Sequence, residues 1–324
     1  MAASCELAIL VACAVLLAAT CRGAPDTELQ VGYYKETCPK AEEIVRAAVS
    51  DAVAEDAGVG AGLIRLLFHD CFVQGCDASV LLDPTKANPS PEKLGAPNVH
   101  SLRGFEAIDE AKFALEDTCP GIVSCADVVA FAARDASYLL SGYRVDFAMP
   151  AGRLDGRRSK DADTVPSLPS PSLNFTQLVA NFAAQGLDAE EMVVLSGAHS
   201  VGHARCSSFS ADRTDIDPSF ARKVLRRCND TSEVEDPTVS QDPVTPAELD
   251  GQYYRNVMKG RVLLASDAAL METAEAARMV RENAGAAGGR WEKKFGEAMV
   301  KMAGIDVKTA GRRGEIRINC RVVN

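Results

Sequence analysis

LIRLLFHDCF, Leu63 to Phe72, decides how the chain is read: Arg65, Phe68 and His69 stand at i, i+3 and i+4, so a helix presents all three on one face. A permanent cation, an aromatic plate and a base that titrates near neutrality then line one cavity. LSGAHSVGHARC, Leu195 to Cys206, supplies a second histidine, His199, near the end of another apolar helix. There it can ligate a metal held in the same cavity, leaving His69 to move protons.

Working outward, the 324 residues suffice for two average domains or one larger unit with a substantial core. Leu7 to Ala19 is apolar and gives way to small residues, the profile of a cleaved secretory leader and not of a membrane span, although no Lys or Arg precedes it. The expected division is a leader over residues 1–27, its end approximate, and one domain over 28–324. No other apolar run approaches membrane length, so no membrane association is expected after cleavage.

Three of the eleven cysteines, Cys5, Cys13 and Cys21, fall in the leader. Eight remain, an even number that suits four disulfides in an oxidising compartment, with 105 connectivities open. Asn174-Phe175-Thr176 and Asn229-Asp230-Thr231 are glycosylation sequons. The formal charge is −10. An acidic exported protein is a poor nucleic-acid binder, and no nucleic-acid partner is expected.

Helical periodicity dominates the chain. Between Pro39 and Asp56, Ala41, Ile44, Val45, Ala48, Val49, Ala52 and Val53 form one apolar stripe. Gly58, Gly60 and Gly62 are expected to separate this helix from the one carrying Arg65 and His69, which unwinds at Gly75. Residues 84–97 form a proline-rich connection. Leu102 to Thr118 and Ser124 to Leu140 read as helices, the second apolar on nearly all sides and hence central. Val145 to Pro171 is a long irregular segment with room for a short strand. Further helices are expected over Asn174–Gln185, Asp188–His199, Pro218–Arg227, Gln252–Met258, Asp267–Glu282 and Arg290–Ala303, with Asp188 and Glu191 spaced as a capping box. AGAAGG, from Ala284 to Gly289, reads as a break between helices. No repeat and no linker divides the chain.

Five blocks, RLLFHDCFVQGCDASVLLD (65–83), RGFEAID (103–109), CPGIVSCAD (119–127), LSGAHSVGHARC (195–206) and GEIRINCRVVN (314–324), resemble the signature segments of secretory (class III) plant peroxidases in sequence and order. The resemblance runs from about Leu29 to Asn324. It implies a mostly α-helical single haem-peroxidase domain of about ten helices with minor short β-strands, one b-type haem between two halves, and two calcium ions. The implied activity is oxidation of small phenolic donors by hydrogen peroxide in one-electron steps, in cell-wall or lignin metabolism or oxidative stress. The implied disulfides are Cys38–Cys119, Cys71–Cys76, Cys125–Cys320 and Cys206–Cys228.

By the same resemblance His69 is the acid–base group, Arg65 stabilises charge on the peroxide oxygens, Phe68 excludes bulky molecules, and Asn98 holds the His69 ring through its other nitrogen. His199 is the iron ligand and Asp267 its acceptor. Pro169, in LPSP, borders the donor. One calcium takes side-chain oxygens of Asp70, Asp77 and Ser79 and carbonyls of Val73 and Gly75, with Glu92 acting through water; the other takes Ser200, Asp242, Thr245, Asp250 and the carbonyl of Glu248. Asp127 and Arg153 match a buried ion pair. Taken alone, a helical histidine is more often structural and an acidic loop more often a solvated face; the surrounding blocks move both towards function.

Several positions depart from the family pattern. Ser200 stands where threonine is usual, and Phe147 where tryptophan is usual, leaving Trp291 as the sole tryptophan. SSFSADRTD (207–215) is unlike the family, and RVLLASD (261–267) carries extra residues before Asp267. A monomer is expected, secreted to the extracellular space or cell wall, because nothing extends past NCRVVN as a vacuolar address would. Two rivals remain: a calcium-braced binding protein that kept the fold, and a zinc hydrolase built on His199 and His203, which lacks a nearby glutamate.

Overall fold

The computed structural model describes residues 29–230, 235–285, 289–309 and 314–324; the expected leader, residues 1–27, lies outside them. Twelve α-helices and one two-stranded ladder occur among the described residues. α1 (Ala41–Glu55) and α2 (Ala57–Gln74) open the chain, followed by α3 (Phe105–Thr118) and α4 (Cys125–Leu140). After the long segment come α5 (Thr164–Ser167), α6 (Phe175–Ala184) and α7 (Ala189–Ser196). β1 (His203–Arg205) pairs antiparallel with β2 (Thr238–Ser240) around α8 (Pro218–Cys228). α9 (Gln252–Val257), α10 (Ala265–Ala268), α11 (Ala274–Ala284) and α12 (Arg290–Met302) complete it. None of these helices is long and apolar enough to cross a membrane.

α4 is the axis of one half, buried continuously from Cys125 to Ser137, and α2 packs along it. Its start is fixed twice. Ser124 Oγ accepts from Asp127 N at 3.1 Å, and the buried Asp155 carboxylate accepts from Cys125 N and Ala126 N at 3.1 and 2.8 Å, an anion on a helix N-terminus.

Gly58, Gly60 and Gly62 lie inside α2 and do not separate it from α1. The break falls at Asp56, whose extended backbone ends one helix while its carboxylate accepts from Gly58 N at 2.7 Å to start the next. The glycines serve close approach: a Cβ on Gly62 would stand 2.9 Å from the Arg103 carbonyl oxygen, and one on Gly60 would stand 3.0 Å from the Leu140 side chain.

Two further expectations are corrected. The helix opening at Asp188 does so with the full capping box, but it ends at Ser196, and a 3-10 turn over Gly197–Ser200 carries His199. His203 is on β1, so the two histidines share no helical face and the zinc pairing loses its basis. The span from Asp267 to Glu282 is also broken: a 3-10 turn at Ala269–Met271 follows α10, and Thr273 caps a new helix by accepting from Ala276 N at 3.1 Å. Between Val145 and Pro171 the only ladder features among the described residues are isolated bridges, Gln30 with Ala151 and Asp155 with Glu315.

Disulfides join Cys38 to Cys119, Cys71 to Cys76, Cys125 to Cys320 and Cys206 to Cys228. The third ties the C-terminal segment to the start of α4. The fourth ties α8 to the end of β1, beside a small second core of Ala204, Ile216, Phe220, Val224 and Leu263.

Candidate active site

His69 comes from the last turns of α2 and is 4% exposed. Its Nδ1 lies 2.6 Å from Asn98 Oδ1, and Asn98 Nδ2 in turn donates to the Glu92 carbonyl at 2.7 Å. That second bond orients the amide so that its oxygen faces the ring. Nδ1 therefore carries the proton, and Nε2 is left as the acceptor. Burial first, then the charge of Arg65, hold the His69 pKa well below the usual histidine value.

Arg65, one turn earlier, is clamped at the rim. Its guanidinium donates to the Ser101 carbonyl (3.1 Å), Ser101 Oγ (3.2 Å) and the Pro97 carbonyl (3.1 Å). Burial and the neighbouring Arg103 push its pKa down to about 10, so it stays cationic at neutral pH. Phe68 packs on Phe72 (4.4 Å between centroids) and stacks with Phe182 (6.3 Å), which fixes its ring beside His69. The three residues expected on one face are together.

His199 Nδ1 lies 2.8 Å from Asp267 Oδ1, and Tyr253 donates its hydroxyl to the same oxygen at 2.8 Å. Asp267 is 3% exposed. Desolvation lowers the His199 pKa, but the charge and hydrogen bond of Asp267 outweigh it and the net shift is upward. The His199 side chain is 39% open although desolvation is the largest influence on it. A ring open on one side yet desolvated faces an internal space, not bulk water. The Arg65 charge lowers the pKa of both His69 and His199, so both rings lie within its electrostatic reach. Neither Nε2 is hydrogen-bonded to a described residue. Two imidazoles, each with Nε2 free of described partners and both within reach of one fixed cation, fit the base and the ligand that an iron porphyrin requires.

Beside His69, Asp70, Asp77 and Glu92 are each no more than 1% exposed. Asp70 accepts from Ala78 N (2.9 Å) and Val80 N (3.4 Å), Asp77 from Ser79 N (3.0 Å), and Glu92 from Ser79 Oγ (3.2 Å). Lys308 donates to Asp77, and Arg317, bonded to the Asp77 and Ala78 carbonyls, adds positive charge that acts on Asp70. Glu92 Oε1 is buried without a partner. Burial, then Asp70 and Asp77, push Glu92 up to about 9, and burial and Asp77 raise Asp70 as well. Val73 lies in the last turn of α2, where carbonyls lack intrahelical partners, and Gly75 follows the helix at φ 81°. This surplus of buried carboxylate fits a hard divalent cation.

On the other side Ser200 accepts from Asp250 N at 3.1 Å, and Thr245 Oγ1 donates to Asp250 Oδ1 at 3.3 Å. Asp242 Oδ1 accepts from Val244 N and Thr245 N, while its Oδ2 is buried and unpartnered. Glu248 sits in the same turn, its N–H donating to the Thr245 carbonyl. Among the described residues no three His, Cys, Asp or Glu side chains form a metal-binding group; both sets mix carboxylates with hydroxyls and carbonyls.

Asp127 and Arg153 form a fully buried pair, 2.7 Å apart, completed by Tyr34, Gly152 N and the Ala303 carbonyl. Pro169 is half-buried just beyond α5. Asn174 is exposed and caps α6, and Asn229 is exposed at the end of α8. Sequence reasoning missed Ser101 and Tyr253, whose partners are distant in the chain. It also missed the packing role of Trp291, which is 1% exposed and donates to Tyr254 Oη at 2.8 Å. Gly197 is the available signal for that packing: a Cβ there would meet the Trp291 ring at 2.6 Å.

The peroxidase family model matches residues 45–286. Peroxidase 2 of Zea mays is 54% identical over 315 residues, covering 96% of this chain and 93% of that protein. Peroxidase 1 of Zea mays is 44% identical over 334 residues (98% and 89%), and Peroxidase 39 of Arabidopsis thaliana 42% over 314 residues (92% and 94%). Matches of this length and closeness, running through both histidine segments, leave one assignment: the chain belongs to the class III plant peroxidases and is a haem peroxidase.

Proposed function

We propose that His69 is the acid–base group of the peroxide reaction, that Arg65 stabilises charge on the peroxide oxygens, and that His199 ligates the iron of a single b-type haem. When bound, haem supplies an iron that takes two oxidising equivalents from hydrogen peroxide and passes them on one electron at a time. His69 accepts the peroxide proton at Nε2, since Nδ1 is committed to Asn98, and returns it to the departing oxygen. A buried imidazole that stays neutral is ready to accept. Arg65 is anchored by Ser101 and Pro97, so its charge is in place before the oxygens need it. Phe68 keeps larger molecules off that side, and small phenolic donors pass Pro169. Asp267 accepts from His199 Nδ1 and makes Nε2 a more electron-rich ligand.

Members of the family use haem and calcium; here two calcium ions would be held, one by Asp70, Val73, Gly75, Asp77 and Ser79 with Glu92 behind water, the other by Ser200, Asp242, Thr245, Glu248 and Asp250. The orphaned Glu92 Oε1 and Asp242 Oδ2 support both. A cleaved leader over 1–27, a single domain over 28–324, glycans at Asn174 and Asn229, a monomer and an extracellular or wall location complete the proposal.

One observation carries it: two imidazoles, each held through Nδ1 by a buried acceptor, each with Nε2 free, share the field of one arginine. His69→Leu should keep the haem Soret band while slowing the spectral response to peroxide by two orders of magnitude or more, on the order of an acid–base group's contribution. An unchanged stopped-flow rate removes His69 from the mechanism.

A further inference from the structure

The outer face of α8 carries charge that neither the fold nor the peroxide chemistry uses. Phe220, Ala221 and Val224 point inward to the second core, so Arg222, Lys223, Arg226 and Arg227 are left exposed around Leu225. Positions 222 and 226 form one i,i+4 column and 223 and 227 another, a two-by-two array of cations with neighbouring Cβ atoms about 5–6 Å apart.

No acidic residue lies between Pro218 and Cys228 to relieve it. None of the four cations pairs with a described residue, whereas Arg46, Arg134, Arg213, Arg278 and Arg321 all do. Arg226 and Arg227 suit the negative end of the helix, but Arg222 and Lys223 gain nothing there. Like charges at i,i+4 weaken a helix. This one is held nonetheless by the Asp217 cap, Pro218 at its start and the Cys206–Cys228 bond. All this stands in a chain of net charge −10.

We propose that this array binds a linear acidic polysaccharide, whose successive carboxylates pair with Arg222, Lys223, Arg226 and Arg227. A membrane surface is the poorer fit. The apolar side of α8 is buried in the protein, and Leu225 alone would be available to enter lipid. The choice of a polysaccharide over nucleic acid rests on the extracellular reading given above. Because the rest of the molecule is acidic, attraction is confined to within about a Debye length of α8 and is strongly salt-dependent.

Polygalacturonate immobilised on a sensor surface is the probe, with the haem-loaded enzyme in solution. The wild type should bind at low salt and lose affinity steeply as salt is raised. Replacing all four cations with Gln should weaken binding by at least about tenfold, since each pairing with a carboxylate contributes separately. Arg222→Gln with Lys223→Gln alone should give an intermediate loss. Turnover of a small phenol should be unchanged in both variants and the melting temperature should not fall, since like-charge repulsion is being removed, which separates this inference from any failure of the peroxidase reading. Four results each overturn the proposal: no wild-type binding at low salt, equal binding by the four-fold variant, equal binding to the fully methyl-esterified polymer, or tighter binding to phosphatidylserine vesicles.

Discussion

Withdrawing calcium from the site beside His69 should make stability fall as pH rises, and the buried carboxylates set the size of the fall. Without a cation, burial and then the charges of Asp70 and Asp77 push Glu92 from 4.5 up to about 9. Asp70 moves in the same direction through burial and then Asp77. A folded-state value above the unfolded one means that the folded protein holds the extra proton. The stability is therefore complete below about pH 4.5 and is lost as pH rises towards about 9. At about 1.4 kcal/mol per pH unit, Glu92 alone removes roughly 4 kcal/mol between pH 5 and 8, and Asp70 adds to it. For a chain of this length about 2 °C accompanies each kcal/mol, so the calcium-free melting temperature should drop by about 8 °C or more. Calcium favours the ionised carboxylates and should abolish the slope. Calorimetric melts of the holoenzyme in EGTA and in millimolar calcium, at pH 5 and pH 8, isolate the effect as a difference. If that difference is the same at both pH values, the surplus of buried carboxylate is not what calcium neutralises.

Asp127→Ala should cost about 3–5 kcal/mol in urea unfolding, because it strands Arg153 fully buried without its counter-ion; a loss under about 1 kcal/mol would show that the Ala303 and Pro150 carbonyls suffice. Gly197→Ala should cost about 1–3 kcal/mol and shift the fluorescence of Trp291, since the new methyl meets that ring at 2.6 Å. Unchanged emission would place the strain elsewhere. Asn98→Asp sets a carboxylate where an amide now faces His69, raising the imidazole pKa by about 1–3 units. The base is then protonated at higher pH, so the acidic limb of the peroxide rate should move towards neutrality; a limb that stays put refutes the assignment of Asn98.

What could be read from sequence was whatever local period or capping controls. The face shared by Arg65, Phe68 and His69 follows from helical spacing, and the Asp188–Glu191 capping box needs only four residues. The burial of α4 follows from its apolar composition. Elements decided by distant packing were not readable. Glycine weakens a helix, so Gly58, Gly60 and Gly62 read as a break, yet the approach of Arg103 and Leu140 makes glycine the residue that fits inside one. His199 stands on a 3-10 turn whose Gly197 nestles under Trp291 and Tyr254, nearly a hundred residues away in the first case. Tyr253 reaches Asp267 across a bend that no periodic pattern announces. Asp267 lies on α10, a helix of one turn, and its carboxylate meets His199 at 2.8 Å.

The two histidines are held in the same way, and under the proposed function the charge of what holds them sets them to different tasks. Each commits Nδ1 to a buried side-chain oxygen, at 2.6 and 2.8 Å, so geometry alone does not distinguish them. Asn98 offers a neutral amide whose own orientation is locked by the Glu92 carbonyl. It fixes the tautomer and favours the imidazolium only through one neutral hydrogen bond, which burial and then the Arg65 charge outweigh, so His69 stays neutral and able to take a proton. Asp267 offers a full negative charge, steadied by the Tyr253 hydroxyl, which drives the His199 shift the other way and loads electron density onto Nε2. Exchanging the acceptors should therefore spoil both sides, since a charged partner would saturate the base with a proton and a neutral one would leave the ligand electron-poor. Under the proposed function, the division of labour between proton transfer and metal ligation resides less in the imidazoles than in one amide and one carboxylate behind them.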